Sequence, residues 1–354
     1  MTKDVYEGLA NHLDRLPGGF PRTESGVEMR ILKRLFSPEE ASVACNLRGM
    51  PEPVERIARR AGLPPEELAE KLSTMSRKGL IYRADTPDGP RYMAAQYVVG
   101  IWEYHVNDLD PELIKDMNEY LPHLIDPFLK LQTKQMRTIP IGASVDGQGS
   151  VMPYEEARKL IEKQKKIVVA PCICRREHSM MGKGCGKLAE ACLTFSSAAH
   201  FYEKNGLGRE ITRDEALQIL KKAEEDGLVL QPSNAQKIMA MCLCCGDCCQ
   251  ILKGLKRLPK PSSLVHSNYY AKVKEDECIG CETCLERCQI AAITMKDDAA
   301  VVDPERCIGC GLCVPTCGTE AMALVRKDEK DCYVPPDNIM ETLTAISRER
   351  GLMK

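Results

Sequence analysis

The strongest constraint on this chain is a cysteine spacing that occurs twice near its C-terminal end. Each copy has the form C-x2-C-x2-C-x3-C, and the second copy begins 29 residues after the first. The eight residues are Cys278, Cys281, Cys284 and Cys288, followed by Cys307, Cys310, Cys313 and Cys317. Packing of buried cysteines does not produce one spacing twice, so the pattern indicates thiolate ligands for metal.

This spacing suits a 4Fe–4S cube, whose four iron corners each take one soft thiolate. One tight loop reaches three corners, and the fourth thiolate then comes from the other copy. The first predicted ligand set is Cys278, Cys281, Cys284 and Cys317, and the second is Cys307, Cys310, Cys313 and Cys288. Zinc, which C-x2-C pairs also bind, is the competing interpretation, but it does not call for four thiolates in each copy.

The region at residues 270–330 resembles the bacterial two-cluster ferredoxins, and the resemblance rests on these two cysteine runs. It implies a ferredoxin-like fold with pseudo-twofold symmetry and the transfer of single electrons between two 4Fe–4S clusters. The family usually has proline after the fourth cysteine of each run, where this chain has Gln289 and Gly318. Neither position is a ligand, so the difference affects the surroundings of the sulfurs and not the ligand set.

Nine further cysteines lie in two dense blocks of residues 166–252. They are Cys172, Cys174, Cys185 and Cys192 in the first block, and Cys242, Cys244, Cys245, Cys248 and Cys249 in the second. Adjacent free thiols are easily oxidised, so we expect one or two additional iron–sulfur clusters here. Two clusters would each use one block, whereas a single cluster would take ligands from both. Structural zinc and a redox-active thiol pair are the alternatives, and Arg175 and Arg176 would offset the charge of the thiolates.

The second block contains the tripeptide Cys-Cys-Gly, at Cys244 to Gly246, and in this it is similar to the cysteine-rich domains of heterodisulfide reductases. The wider spacing of that motif is absent, so no function follows from it. The whole arrangement resembles multidomain 4Fe–4S binding proteins of anaerobes, which implies a cofactor class and not a reaction. The number of low-potential clusters expected here favours an anaerobic or microaerobic host.

The N-terminal part resembles a winged-helix domain over roughly residues 26–98, with three helices followed by a hairpin signal at Thr86–Pro90. Winged helices often bind DNA, but the helix that would enter the major groove begins with Glu66 and Glu67. Residues 25–100 contain 12 basic and 10 acidic side chains, which is not a basic stripe. We therefore favour a protein-contact or structural role over DNA binding.

The predicted fold class is α+β, with a mostly helical winged-helix-like domain, a helical cysteine-rich domain and a C-terminal ferredoxin-like domain. The predicted segments are a lead (1–25), the winged-helix-like domain (26–100), connecting helices (101–165), the cysteine-rich domain (166–252), a basic linker (253–269), the two-cluster domain (270–330) and a tail (331–354). The N-terminal residues lack an apolar signal region, and no segment is long enough to span a bilayer, so we expect a cytoplasmic protein.

These features predict an iron–sulfur electron-transfer protein. Residues 275–330 contain 12 acidic and 6 basic side chains, so we expect redox partner proteins with a basic docking surface. No nucleophile–base pair, phosphate loop or nucleotide fingerprint occurs, so the chain alone is not expected to be a complete enzyme. The alternatives are a redox-sensing winged-helix regulator of transcription and an oxidoreductase, or a subunit of one, in which the second cysteine region binds substrate.

Overall fold

The computed structural model describes residues 4–145 and 151–353, which form two compact units. The first unit comprises Met1–Leu131, Ser197–Arg209 and Leu343–Lys354, and the second comprises Gln132–Ser196 and Glu210–Thr342. Every cysteine of the two predicted ligand sets and of the two dense blocks belongs to the second unit. The candidate metal chemistry is therefore confined to one unit.

The helices and strands are numbered here in chain order. The helices are α1 (Val5–Asp14), α2 (Val27–Leu35), α3 (Pro38–Ala44), α4 (Val54–Ala61), α5 (Pro65–Arg77), α6 (Trp102–Tyr104), α7 (Pro111–Lys130), α8 (Ala157–Glu162), α9 (Ile173–Met180), α10 (Ser196–Lys204), α11 (Arg213–Glu225), α12 (Gln250–Lys256), α13 (Thr283–Arg287) and α14 (Ile339–Glu349). The strands are β1 (Glu52–Pro53), β2 (Ile81–Thr86), β3 (Gly89–Ala94), β4 (Ile167–Pro171), β5 (Glu190–Phe195), β6 (Arg209–Glu210), β7 (Val229–Pro232), β8 (Ala240–Cys244), β9 (Tyr269–Val273), β10 (Ile293–Lys296), β11 (Ala299–Val302) and β12 (Met322–Arg326). None of the described helices is both long and apolar enough to cross a membrane.

The first unit begins with helices whose ends are fixed by local sequence. Ser37 and Glu40 form a reciprocal capping box at the start of α3, and the left-handed Gly62 ends α4. Strands β2 and β3 form the expected hairpin, and β1 pairs with the other edge of β3. Four helices, α2 to α5, precede this hairpin where the sequence predicts three, and the winged-helix comparison itself stays a prediction.

Helix α7 is a single helix of 20 residues with Pro122 and Pro127 inside it. The sequence instead predicts that these prolines separate several connecting helices. Each internal proline removes one backbone hydrogen bond, at a cost of about 3 kcal/mol. Burial of one face compensates, because Tyr120 is fully buried and its ring packs 5.0 Å from that of Phe20.

The central part of the second unit is built on a five-stranded sheet with the order β6-β4-β5-β8-β7. The sequence predicts a helical cysteine-rich domain, and that part of the prediction is wrong. The apolar run Ile167 to Ala170 predicts a buried strand, which the structure contains as β4, whereas β5 and β8 are not predicted from the sequence. Helix α11, whose N-cap is Thr212, contacts this sheet through β4 and β5.

The last part of the second unit contains two short antiparallel pairs, β9 with β12 and β10 with β11. Adding 29 to the numbers of β10 gives residues 322–325 of β12, so the strands repeat with the same offset as the cysteines. A small core of Ala271, Ile293, Ala300, Cys313 and Met322 lies between them, and other cysteines pack against it. The repeat in the sequence is therefore a repeat in the structure.

Candidate metal centres

Two backbone amides show that the cysteine loops of both copies are held in the same way. The amide of Ala271 donates to Sγ of Cys307 over 3.3 Å, and the amide of Ala300 donates to Sγ of Cys278 over 3.4 Å. Both the donors and the acceptors differ by 29 positions, so each copy binds the loop of the other. Amide donors directed at sulfur favour the thiolate, which is the form that binds metal.

Four thiols of the first predicted set surround one cavity. The cavity has a volume of about 370 Å³, includes space open to solvent, and is lined by Cys278, Cys281, Cys284 and Cys317 among other residues. The hydroxyl of Thr283 donates to Sγ of Cys281 over 3.5 Å. We call these four residues the first four-thiol site. The structure thus places three thiols of one copy beside the fourth thiol of the other copy, as the spacing predicts.

The second four-thiol site consists of Cys288, Cys307, Cys310 and Cys313, whose sulfurs interact electrostatically with one another. The amide of Ala292 donates to Sγ of Cys288 over 3.1 Å. Burial raises the pKa of Cys310 to about 12 and also raises that of Cys313. Buried thiols of this kind become stable thiolates when a metal supplies the compensating positive charge.

The spacing of the sulfurs distinguishes these sites from a single-ion site. Among the described residues, one group of cysteines has all of its ligand atoms within 4.8 Å of one another, and it contains none of the eight repeat cysteines. The wider spacing fits a 4Fe–4S cube, in which each thiolate binds a different corner. Gly280 and Gly309 adopt positive φ angles of 67° and 66° at equivalent positions, so both loops follow the same path around their site.

The two sites differ in exposure although their sequences match. Ile279 and Ile308 occupy the same position in the two copies, but Ile279 is 72% exposed and Ile308 is 2% exposed. The segment around Ile141 covers the second site, and the amide of Ile141 donates to the carbonyl of Cys310 over 3.1 Å. The first four-thiol site, with the exposed Cys281, is therefore more open to solvent than the second, where Cys313 is buried.

The nine central cysteines fall into a group of six and a group of three, and the groups do not follow the sequence blocks. The six-thiol group forms a continuous series of sulfur contacts that runs through Cys172, Cys174, Cys249, Cys244, Cys242 and Cys192. Strands β5 and β8 bring the blocks together, because Cys192 pairs directly with Cys242. Of the two alternatives, one cluster for each block does not match this grouping, whereas a centre with ligands from both blocks does.

Neighbouring thiols of the six-thiol group shift one another's pKa values in opposite directions. Hydrogen bonds from Cys174 and Cys244 lower the pKa of Cys249 well below its ordinary value. Hydrogen bonds to Cys242 and Cys249 raise the pKa of Cys244. The group contains more thiols than the four corners of a 4Fe–4S cube require, and its half-buried and buried sulfurs in continuous contact fit a thiolate-bound metal centre.

The three-thiol group consists of Cys185, Cys245 and Cys248, with 3.8 Å between the sulfurs of Cys185 and Cys245. Arg175 is 5% exposed, and its guanidinium donates to the carbonyls of Leu188 and Leu243. Although burial acts against its charge, the thiolates around it, including Cys245, raise the pKa of Arg175. The expected role of this arginine in offsetting thiolate charge agrees with its position.

A link between the second four-thiol site and the central cysteines is not evident from the sequence. Gln289, which follows Cys288, accepts a hydrogen bond of 2.7 Å from the amide of Gly246, which follows Cys245. The guanidinium of Arg306 also donates to the carbonyls of Lys256 and Leu258. The replacement of the family's proline by Gln289 is the one sequence signal of this contact.

Comparison with known proteins identifies the C-terminal part of the chain. A family model described as a 4Fe-4S dicluster domain matches residues 271–324, which lie within the predicted region 270–330. No curated protein and no solved structure matches the chain. The match supports a ferredoxin-like 4Fe–4S domain, and together with the many cysteines it suggests an iron–sulfur electron-transfer protein.

Proposed function

We propose that this protein carries two 4Fe–4S clusters and transfers single electrons between an external partner and a metal centre in its own central region. Bound clusters supply the redox chemistry, and the chain supplies ligands, burial and spacing. The observation that carries the proposal is the grouping of thiols across the two copies, with Cys317 beside Cys278, Cys281 and Cys284 around one cavity. Cys288 joins the other three thiols in the equivalent arrangement.

The contact between Gln289 and Gly246 supports transfer toward the central cysteines. Cys288 and Cys245 are joined by two adjoining residues and a single hydrogen bond of 2.7 Å. Cys244, a member of the six-thiol group, immediately precedes Cys245 in the sequence. The six-thiol group is therefore the proposed internal end of the electron path, and it would hold a further iron–sulfur centre.

The exposed first four-thiol site supports an external partner with a basic surface. Ile279 is an exposed apolar side chain beside two of the thiol ligands, which suits the centre of a docking surface. Exposed acidic residues flank these cysteines in the sequence, namely Glu275, Asp276, Glu277, Glu282, Glu286 and Glu320. Acidic residues around an apolar centre favour a partner of opposite charge and speed its association.

Iron analysis and EPR of the protein purified without oxygen test the proposal. Two clusters require roughly eight iron atoms per chain, and a further iron–sulfur centre adds to that number. Cys317→Ser should remove the signal of one cluster, and Cys244→Ser should change the central centre while both ferredoxin-type signals remain. A colourless protein without iron, or one that contains zinc alone, would contradict the proposal.

The internal path has its own test in Gln289→Leu, which keeps the side-chain size but removes the hydrogen bond to Gly246. After rapid reduction, freeze-quench EPR should show a several-fold slower arrival of electrons at the central centre. Gln218→Leu, at an exposed position of α11, is the matched control and should have no effect. Equal rates in Gln289→Leu and the unmodified protein would exclude this path while leaving the two clusters in place.

A role in DNA binding is less well supported. Glu66 and Glu67 lie in the first turn of α5, where they would face the phosphates of DNA. We propose that the helices and hairpin of residues 26–100 provide a contact surface for protein instead.

A further inference from the structure

The three-thiol group has the dimensions of a site for one metal ion. A tetrahedral ion with metal–sulfur bonds of about 2.3 Å holds its sulfurs about 3.8 Å apart. The sulfurs of Cys185 and Cys245 are 3.8 Å apart, and all three sulfurs lie within 4.8 Å of one another. The thiols of a 4Fe–4S cube are spread over separate corners, so this group differs from the two four-thiol sites in the kind of metal it suits.

The local sequence also suits a single ion. Cys245 and Cys248 form a C-x2-C pair, the common spacing of tetrahedral thiolate sites, and Cys185 comes from the loop after α9. The adjacent pairs Cys244–Cys245 and Cys248–Cys249 each give one thiol to this group and one to the six-thiol group. Two different centres therefore share two short stretches of chain.

The group provides three ligands where a tetrahedral ion needs four. No fourth cysteine, histidine or carboxylate joins it within the described ranges 4–145 and 151–353. Closed structural sites have four protein ligands, whereas sites with three leave a position for an exchangeable ligand. Gly182, Gly184 and Gly186 around Cys185 are exposed, so small molecules can approach from that side.

Arg175 is a second, independent indication of bound negative charge. This cation is buried next to Cys245, and within the described structure its Nε has no hydrogen-bond partner. A divalent ion with three thiolates would have a net charge of −1, and the guanidinium, which also interacts with Cys172 and Cys244, would offset it. Lys187 and Asp247, which pair over 3.1 Å, tie the loop of Cys185 to the loop of Cys245 and Cys248.

We propose that Cys185, Cys245 and Cys248 bind one tetrahedral, thiolate-preferring divalent ion, Zn²⁺ or Fe²⁺, and leave its fourth position to a small exogenous donor. Soft thiolate ligands select such metals, and a thiol is the class of donor that the bound ion would accept. Electrons brought to the neighbouring six-thiol group would then arrive beside a ligand held at the open position. This last step rests on the proposed electron path, whereas the three-thiolate ion does not.

Metal analysis and X-ray absorption spectroscopy of the full chain, purified without oxygen and without added thiol, test this site. We expect one Zn²⁺ or Fe²⁺ ion in excess of the iron that is matched by sulfide. Where the ion is Zn²⁺, the X-ray absorption spectrum at the zinc edge should show three sulfur ligands and one lighter ligand. Addition of ethanethiol should convert this ligand set to four sulfurs. Where the ion is Fe²⁺, the same change should appear in its Mössbauer signal.

Cys185→Ser should lose this one ion while both ferredoxin-type EPR signals remain, and Cys45→Ser, a cysteine of the first unit, should keep it. Four sulfur ligands before thiol is added would overturn the open position. A disulfide in place of the ion, or iron lost in multiples of four from Cys185→Ser, would overturn the single-ion site. Absence of both ferredoxin-type EPR signals from the unmodified protein would contradict the proposed function without affecting the test of the single-ion site.

Discussion

Ile279 and Ile308 show what local sequence can and cannot specify. Both follow the first cysteine of a C-I-G-C run, and both runs bend in the same way because Gly280 and Gly309 take equivalent conformations. Local sequence therefore predicts the loop. It does not predict that one isoleucine is exposed and the other is covered, because the covering segment around Ile141 is distant in the chain.

Gly309 is the residue at which this loop tolerates least change. A Cβ at this position would overlap the carbonyl oxygen of Tyr269, and the φ of 66° is unfavourable for other residues. Gly309→Ala should destabilise the second unit by more than about 2 kcal/mol and lower the iron content by roughly four atoms per chain. Gly318→Ala is the control, since its Cβ meets no atom within 4 Å. Normal iron binding by Gly309→Ala would show that the loop moves freely.

His105 gives the first unit a pH-dependent stability. Burial lowers its pKa, while the ring Nδ1 lies 2.7 Å from the carbonyl oxygen of Ile101. The unfolded chain takes up a proton more readily, so this stability is complete above pH of about 6.5 and is lost as pH falls through the lower folded pKa. We expect the urea midpoint, followed by the fluorescence of Trp102, to fall between pH 7.5 and 5.5.

The comparison variant for this experiment is His105→Phe, which should reduce the slope of stability against pH. Part of the slope should remain, because burial also lowers the pKa of His12. His123→Asn changes an exposed histidine of the same unit and should leave the slope unaltered. A slope that is identical in His105→Phe and the unmodified protein would exclude this assignment.

At the scale of elements, the sequence predicts local structure better than the meeting of distant strands. The capping box at Ser37 and the N-cap at Thr212 mark helices that the structure contains. The grouping of the central thiols depends on the pairing of Cys192 with Cys242, which are 50 residues apart, and no local pattern encodes that register. The grouping of repeat thiols across the two copies was predictable because the repeat itself specifies which loops are equivalent.

The acidic face beside α13 has a measurable consequence for electron exchange. Oxidation of the reduced protein by hexaamminecobalt(III), a small cation, should be faster than by an anion of similar driving force, and added salt should reduce the difference. Glu275→Gln combined with Glu282→Gln should slow the reaction with the cation several-fold. Asp214→Asn, on α11, should not change it. A rate that does not depend on these charges would argue against a basic partner at this face.

At the scale of the whole molecule, the two units should respond differently to loss of metal. The core between the β9–β12 pair and the β10–β11 pair is small, and its neighbours include Cys278, Cys284 and Cys307. We therefore expect bound metal to replace much of the packing that a larger core would provide. Chelation of iron under oxidising conditions should remove hydrogen-exchange protection from residues 270–330. Trp102 and the helices of residues 27–77 should keep theirs.

Chelator added without an oxidant is the control for this measurement, since intact clusters should then keep their protection. Equal loss of protection in both units would show that the first unit also depends on metal. Equal retention would show that the C-terminal strands fold without metal. Either result would contradict the expectation that only the C-terminal strands depend on metal.

The first unit is assembled from three separate stretches of chain, and this has a consequence for its synthesis on the ribosome. The ring of Tyr82 stacks on that of Phe201 at 4.8 Å. The β2–β3 hairpin therefore completes its packing only after α10, more than a hundred residues later in the sequence, has been synthesised. Arg350 donates to the carbonyl of Leu16, which lies 334 residues earlier, and pairs with Asp14. Residues around Leu16 therefore reach their final packing only after Arg350 has been translated, and the candidate metal ligands are translated in between.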